Sequence, residues 1–207
     1  MSRKFFSLTA GLAVAMLAAC TSNTPVANNS PASSPSTAAS PSAQASAVAT
    51  TTDPCQLVTA AEASSLAGAS YSVGKEETTS GGGKLCWYGA QTRNVFEVFV
   101  GVASDASTAQ TQWDQEKSEV QADLLKATNV SGVKITLNVS DTTLSGADRA
   151  ASGTLNESFN GHVLAASAVY MLKGATFAAI VDLVLDQPAP AIASMETQAQ
   201  TVLGRLP

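Results

Sequence analysis

Between residues 21 and 52 the chain carries no charged side chain, and all but six of those residues are Ser, Thr, Pro or Ala. This tract decides how much chain is left to build a core. Without bulky apolar side chains it buries too little surface to offset the entropy of ordering, so a disordered tether is expected. As a flexible coil it would span on the order of 30 Å, and more where prolines stiffen it. The folding body is then residues 53–207, which is enough for one hydrophobic core and one domain.

Ahead of the tether, residues 1–19 read as a secretory signal. Arg3 and Lys4 open it, and Phe5 to Ala19 is uncharged and mostly apolar. That stretch is short for a membrane span, which needs about 20 apolar residues. Leu17-Ala18-Ala19-Cys20 resembles the lipobox of bacterial lipoproteins, in which the cysteine thiol is acylated and becomes the new N-terminus. The other reading is an ordinary cleaved signal with a chance cysteine. Lipid on Cys20 anchors a protein without spanning the membrane, and two or three acyl chains hold far more firmly than one. The expected location is the outer face of the bacterial cytoplasmic membrane.

The chain has three cysteines, Cys20, Cys55 and Cys86. With Cys20 assigned to lipid, an oxidising compartment favours a bond between Cys55 and Cys86. Free thiols and a metal site are the alternatives. The metal reading needs four ligands at recognisable spacing, whereas the chain has one histidine and no C-x-x-C. No cofactor is expected. The net charge of −5 becomes −7 once Arg3 and Lys4 are removed with the signal. An acidic chain without a basic run argues against nucleic acid as a partner.

Along the domain, Thr59 and Glu62 have capping-box spacing at the head of a short helix that ends at Ala67 before Gly68. Strands are expected at Tyr71–Thr78, Leu85–Tyr88 and Val95–Val102, the last with Phe96, Val98, Val100 and Val102 on one face. Ser107–Lys126 has helical periodicity, with Ala109, Trp113, Val120, Leu124 and Ala127 on its apolar stripe. Val133–Ser140 alternates as a half-buried strand, with Val133, Ile135, Leu137 and Val139 inward. A weaker strand at Ala147–Leu155 precedes two long ones, His162–Leu172 and Ala175–Leu185, joined by Lys173-Gly174. After Pro188 and Pro190, Ile192, Met195, Ala199, Val202 and Leu206 recur at helical spacing. Runs of strands bracketed by helices, with no crossover needed, read as α+β: an antiparallel sheet with helices packed on it.

Asp53-Pro54-Cys55-Gln56-Leu57-Val58-Thr59, then Ala61-Glu62, then Cys86-Trp87, resembles the actinobacterial lipoprotein family called domain of unknown function 3558. Around Leu144–Ala150, Asp148 and Ala150 match a turn common in that family, with Ala147 in place of a glycine. The resemblance implies an envelope lipoprotein whose domain has a small PsbP-like α+β fold. It implies no reaction.

Motifs that suggest chemistry have plainer readings. Gly81-Gly82-Gly83-Lys84 lacks the spacing and the Ser or Thr of a phosphate loop, and reads as a hairpin connection. His162 is the one candidate general base of the usual kind, placed where an exposed or hydrogen-bonded histidine is ordinary. Asp182 and Glu97 interrupt apolar strands; they read as residues on a solvent-facing side of the sheet, with a binding carboxylate as the other possibility. Trp113 reads as core. The Asn129, Asn138 and Asn156 sequons read as chance matches in a bacterial lipoprotein. Carboxylate-only hydrolysis needs two acids about 5–9.5 Å apart, and Asp148, Glu157, Asp182 and Asp186 are the candidates for such a pair. The expected function is a non-enzymatic envelope module that binds an unidentified small molecule, wall component or protein, with a surface hydrolase as the alternative.

The lipobox yields a direct test. Cys20→Ser is expected to move the protein from the membrane fraction to the medium. Mass spectrometry of the wild-type mature N-terminus should find a lipidated cysteine; an unmodified N-terminus there would remove the anchor.

Overall fold

The computed structural model describes residues 50–72, 74–79, 81–89, 94–127 and 134–207. Cys20, the signal, nearly all of the tether, Val133 and Asn129 lie outside the described residues. One seven-stranded sheet carries the domain, in the order β1-β2-β3-β7-β6-β5-β4 with every neighbouring pair antiparallel. The strands are β1 Lys75–Thr78, β2 Lys84–Tyr88, β3 Asn94–Val102, β4 Lys134–Thr142, β5 Arg149–Phe159, β6 His162–Lys173 and β7 Thr176–Leu185. The helices are α1 Pro54–Leu57, α2 Ala60–Ala67, α3 Ala106–Ala127 and α4 Ile192–Arg205. The expected α+β class is the one observed.

Two expectations need correction. First, β3 and β4 run in the same direction at separate positions, so α3 crosses the sheet from one to the other. At 1.5 Å per residue, a 22-residue helix is about 33 Å long, close to the roughly 30 Å of a nine-residue strand, so it returns the chain to the end where β3 began. Helices therefore cover both faces, with α1, α2 and α4 on one and α3 on the other. Second, β1 begins at Lys75, not Tyr71. Tyr71 lies in the preceding coil, buried by its own hydrogen bond into the core.

The face under α1, α2 and α4 holds the main core. Cys86, Tyr88, Phe96, Val98, Val100, Val169, Met171, Ala178 and Ile180 from the strands meet Leu57, Val58, Ala63, Met195, Ala199, Val202 and Leu206. On the other face, Ala109 and Trp113 of α3 pack on Ala151, Leu172 and Phe177. The Trp113 and Phe177 rings lie 5.8 Å apart between centroids, as expected of a core tryptophan. The side chains of Val120, Leu124 and Ala127 lie outside the described set. Val102, expected to point inward, is 54% exposed at the end of its strand.

Local signals account for the helix starts. Thr59 accepts from the Glu62 amide (3.2 Å) while Glu62 Oε2 accepts from the Thr59 amide (2.7 Å), the reciprocal box read from the sequence. Gly68 closes α2 at φ +63°, where a residue with a Cβ is strained. A further one-turn helix, α1, was not anticipated. Asp53 caps it through the Cys55 amide (2.9 Å), and Pro54 supplies a first residue that needs no amide donor.

Three ties hold α1 and α2 to the sheet. Cys55 and Cys86 are bonded, with Cα atoms 5.2 Å apart and a sequence separation of 31. By loop entropy such a closure contributes about 3.5–4 kcal/mol. The Tyr88 hydroxyl donates to the Val58 carbonyl. Arg205, in the last turn of α4, donates to the Leu57 carbonyl (2.7 Å) and bidentately to Glu62 (2.9 and 2.6 Å). The guanidinium and the Thr59 groups hold the Glu62 carboxyl down at about 2.

Because that carboxyl is more acidic folded than unfolded, its contribution is complete above about 4.5 and drains away as pH falls through 2. Arg205→Ala is expected to cost about 2–3 kcal/mol at pH 7, from lost charged hydrogen bonds and an unsatisfied Leu57 carbonyl. It should also flatten the stability loss between pH 4.5 and 2, as read by urea unfolding. An acid limb of equal steepness in wild type and variant would refute the assignment.

Candidate functional site

Of the four acids considered as a catalytic pair, Asp182 is not brought together with Asp148 or Glu157. The Asp148 carboxylate accepts the Gly174 amide (2.6 Å) and pins the β6–β7 turn at one end of the sheet. Asp182 lies eight residues beyond Gly174 along β7, about 25 Å away at strand spacing. Glu157 stands opposite Leu164, on the other face of the sheet from Asp182. Asp186 caps the far end, where its carboxylate accepts the Val163 amide (3.0 Å) and meets His162 Nδ1 (2.9 Å). His162 is thus exposed and hydrogen-bonded, as read from the sequence. The glycine-rich loop is a hairpin connection between β1 and β2, with Thr79 and Gly83 bonded through their backbones (2.8 Å) and Lys84 paired with Glu76 (3.2 Å).

Asp182 and Glu97 depart most from expectation. Neither faces solvent: Asp182 is 0% exposed and Glu97 is 4%. They sit on adjacent strands, with Asp182 opposite Phe96 and Glu97 opposite Val181, so their side chains leave the sheet on opposite faces. The physical reason is the double covering. Both faces of β3 are buried, and the face of β7 that carries Asp182 is buried too, while Val181 and Leu183 on its other face are half-buried.

Asp182 points into the face beneath α1, α2 and α4. The Tyr71 hydroxyl donates to its Oδ1 (3.2 Å), while Oδ2 is buried without a partner among the described residues. Ser167, directly opposite on β6, donates to the Pro190 carbonyl instead (2.6 Å). Burial lifts the Asp182 carboxyl to about 6, and the Tyr71 bond moderates the rise. The same burial, with the Asp182 charge nearby, pushes the Tyr71 phenol up. Tyr71 is held in place by Gly89 at φ +75°, where a Cβ would strike its ring.

Glu97 points to the face crossed by α3. Its cross-strand partner there is Trp87. Leu85, Phe99 and Ala179 are buried beside it, with Trp87, Tyr170 and Phe177 packed against them half-buried. The Phe177 ring lies edge-on to Phe99 at 5.9 Å and tilted to Tyr170 at 6.3 Å between centroids. The packing of α3 falls on β4, β6 and β7, away from Trp87 and Glu97. Glu97 Oε1 and Trp87 Nε1 are both buried without a hydrogen-bond partner among the described residues. Each such group costs about 1–3 kcal/mol. Burial raises the Glu97 carboxyl to about 8, and its charge adds to the burial that lifts the Tyr170 phenol to about 12. A buried acceptor and a buried donor, side by side in an aromatic wall, can bind a ligand that carries their complements. The sequence signal for this was available: Val95 to Val100 is apolar on both sides of Glu97.

An acid with a raised folded pKa holds its proton more tightly folded than unfolded. For Glu97, stability is therefore greatest below about 4.5 and falls as pH rises through 8; for Asp182 the window is 3.8 to 6. Glu97→Gln is expected to leave stability near wild type at pH 4.5 and to raise it by a few kcal/mol at pH 9. Thermal unfolding across pH checks this, and an equal effect at both ends would refute the buried acid.

No curated protein and no solved structure matches the chain. A family model, described as "Protein of unknown function (DUF3558)", matches residues 15–152, from the end of the signal-like segment into β5. The chain belongs to this family of unknown function, DUF3558.

Proposed function

We propose that this chain is a lipid-anchored cell-envelope module that binds a ligand on the β2–β3–β7 face of its sheet and does not catalyse a reaction. One observation carries the reading: Glu97 and Trp87, opposite each other in register, present a buried acceptor and a buried donor that no described residue satisfies. A protein interior pairs nearly all such groups, and those left over concentrate where something else completes them. The half-buried rings of Trp87, Tyr170 and Phe177 around them supply apolar contact area of the kind that small-molecule sites use.

The lipobox at Leu17 to Cys20 supports the anchor, and the family match takes in that stretch. None of the described helices is long and apolar enough to cross a membrane. The tether would let the domain sample a shell around its attachment point, which suits capture of envelope components or docking with a neighbouring surface protein. Asp182 stands apart from Asp148 and Glu157, which weighs against hydrolysis by an acid pair that pairs it with either.

The test is a thermal-shift screen of the purified chain against envelope lipids, sugars and metabolites, beside assays with ester, peptide and glycoside substrates. At least one compound should stabilise the wild type, with a smaller shift for Trp87→Ala, and no substrate should turn over. Turnover lost on substituting any one of the acids would overturn the reading in favour of an enzyme.

A further inference from the structure

The unpaired groups also restrict what the ligand can be. From the juxtaposition of Glu97, Trp87 and the surrounding rings, we propose that this face takes an apolar amine: a cation with a hydrocarbon or aromatic body and an oxygen close to its nitrogen. The inference rests on the binding reading above and names its ligand class.

Four features lead there. The Glu97 carboxyl is the one ionisable group that β3 presents to this face, and its neighbours Leu85, Phe99 and Ala179 are apolar. A positive charge is what an ionised carboxylate in such surroundings lacks, since it is the ligand and not the solvent that must offset the loss of hydration. The aromatic wall adds a second attraction, because cations are drawn to the faces of Trp, Tyr and Phe rings. Finally, Trp87 Nε1 is a donor, which an ammonium group cannot satisfy and a hydroxyl or ether oxygen can. Cross-strand partners have Cβ atoms about 4.5–5.5 Å apart, so the ammonium and the oxygen belong on neighbouring atoms of one ligand. The acidic chain, with sequence pI near 4.7, favours approach of a cation from any direction.

Competing charges are few among the described residues. On β1, Lys75 stands opposite Trp87, but it pairs with Glu77 at 2.9 Å and both are exposed. On β6, Tyr170 holds its proton well above neutral pH. On β7, Ala179, Val181 and Leu183 share the face and carry no charge. In α3, Asp114 pairs with Arg149 (3.1 Å) and Lys117 with Asp141 (2.6 Å). Glu97 is thus the group whose ionisation the cation would detect.

That makes binding proton-linked. With the Glu97 carboxyl at about 8, half of it is ionised at pH 8 and about one part in a hundred at pH 6. A ligand that needs the carboxylate therefore binds about 50-fold more weakly at pH 6 than at pH 8.

Two probes of one shape separate charge from bulk: phenylalaninol, an amine with a neighbouring hydroxyl, and 3-phenylpropane-1,2-diol, its neutral counterpart. Each is titrated calorimetrically into the full chain, wild type and Glu97→Gln, at pH 6 and pH 8. The expected result is a clear preference for the amine at pH 8, a loss of about 50-fold in its affinity at pH 6, and a diol affinity that pH leaves unchanged. Glu97→Gln should abolish the preference, the amine then binding no better than the diol, and circular dichroism checks that the variant is folded. Equal binding of the two probes overturns the amine inference and leaves an apolar binding face in place. An amine preference that survives in Glu97→Gln also overturns it. If neither probe binds, the inference falls alone when the thermal-shift screen still finds a ligand, and together with the binding reading when that screen is blank.

Discussion

The Arg205 guanidinium joins the two ends of the domain. Helices as short as α1 and α2 do not persist by themselves, since a single turn fixes many dihedrals for few hydrogen bonds. Their ends also leave carbonyls that must find donors. Arg205 takes the Leu57 carbonyl at the end of α1 and the Glu62 carboxylate in the first turn of α2, from its own place at the end of α4. Lys173 completes the arrangement by donating to the Leu203 and Leu206 carbonyls (3.2 and 2.7 Å). Two cations thus satisfy the polar ends of elements whose apolar sides form one core. With that layer in place, one face of β3 and β7 is closed to water.

Those two strands carry two buried carboxyls, one on each face of the sheet. Their environments differ. Asp182 has a phenol donor and sits in the main core beneath three helices. Glu97 has no described donor to its Oε1 and looks onto rings that are half-open. The first fits a structural acid tied to the coil through Tyr71. The second is costly without a ligand, and a position kept at such a cost is a stronger pointer to binding than any of the exposed acids.

Most elements were legible because their signals are local. The Thr59–Glu62 box, the Gly68 stop, the Lys173-Gly174 turn and the apolar spacing of α4 each specify structure within a few residues. The crossover by α3 was not legible, since the order of strands in a sheet depends on long-range pairing. Nor was the place of Tyr71, which is fixed by contact with a residue 111 positions away. Asp182 and Glu97 were misread as solvent-facing by assuming that one side of each strand was wet. The runs Val95–Val100 and Phe177–Leu185 are apolar at both odd and even positions, the pattern of a strand covered twice. Read that way, an acid within them has to be buried.

The staple at Cys55 also bears on mechanics. The chain enters the domain beside its exit: the Thr51 amide donates to the Arg205 carbonyl (2.8 Å), and four residues later Cys55 is covalently joined to β2. A pull applied upstream of residue 50 first meets that backbone bond and the Asp53 cap. It then reaches a covalent link into the sheet before it can peel α1 or α2 away. Load passes into β2, whose neighbour β3 is hydrogen-bonded along its whole length to β7. Under a load at the N-terminal end, tension would be borne by the sheet and the helices left slack.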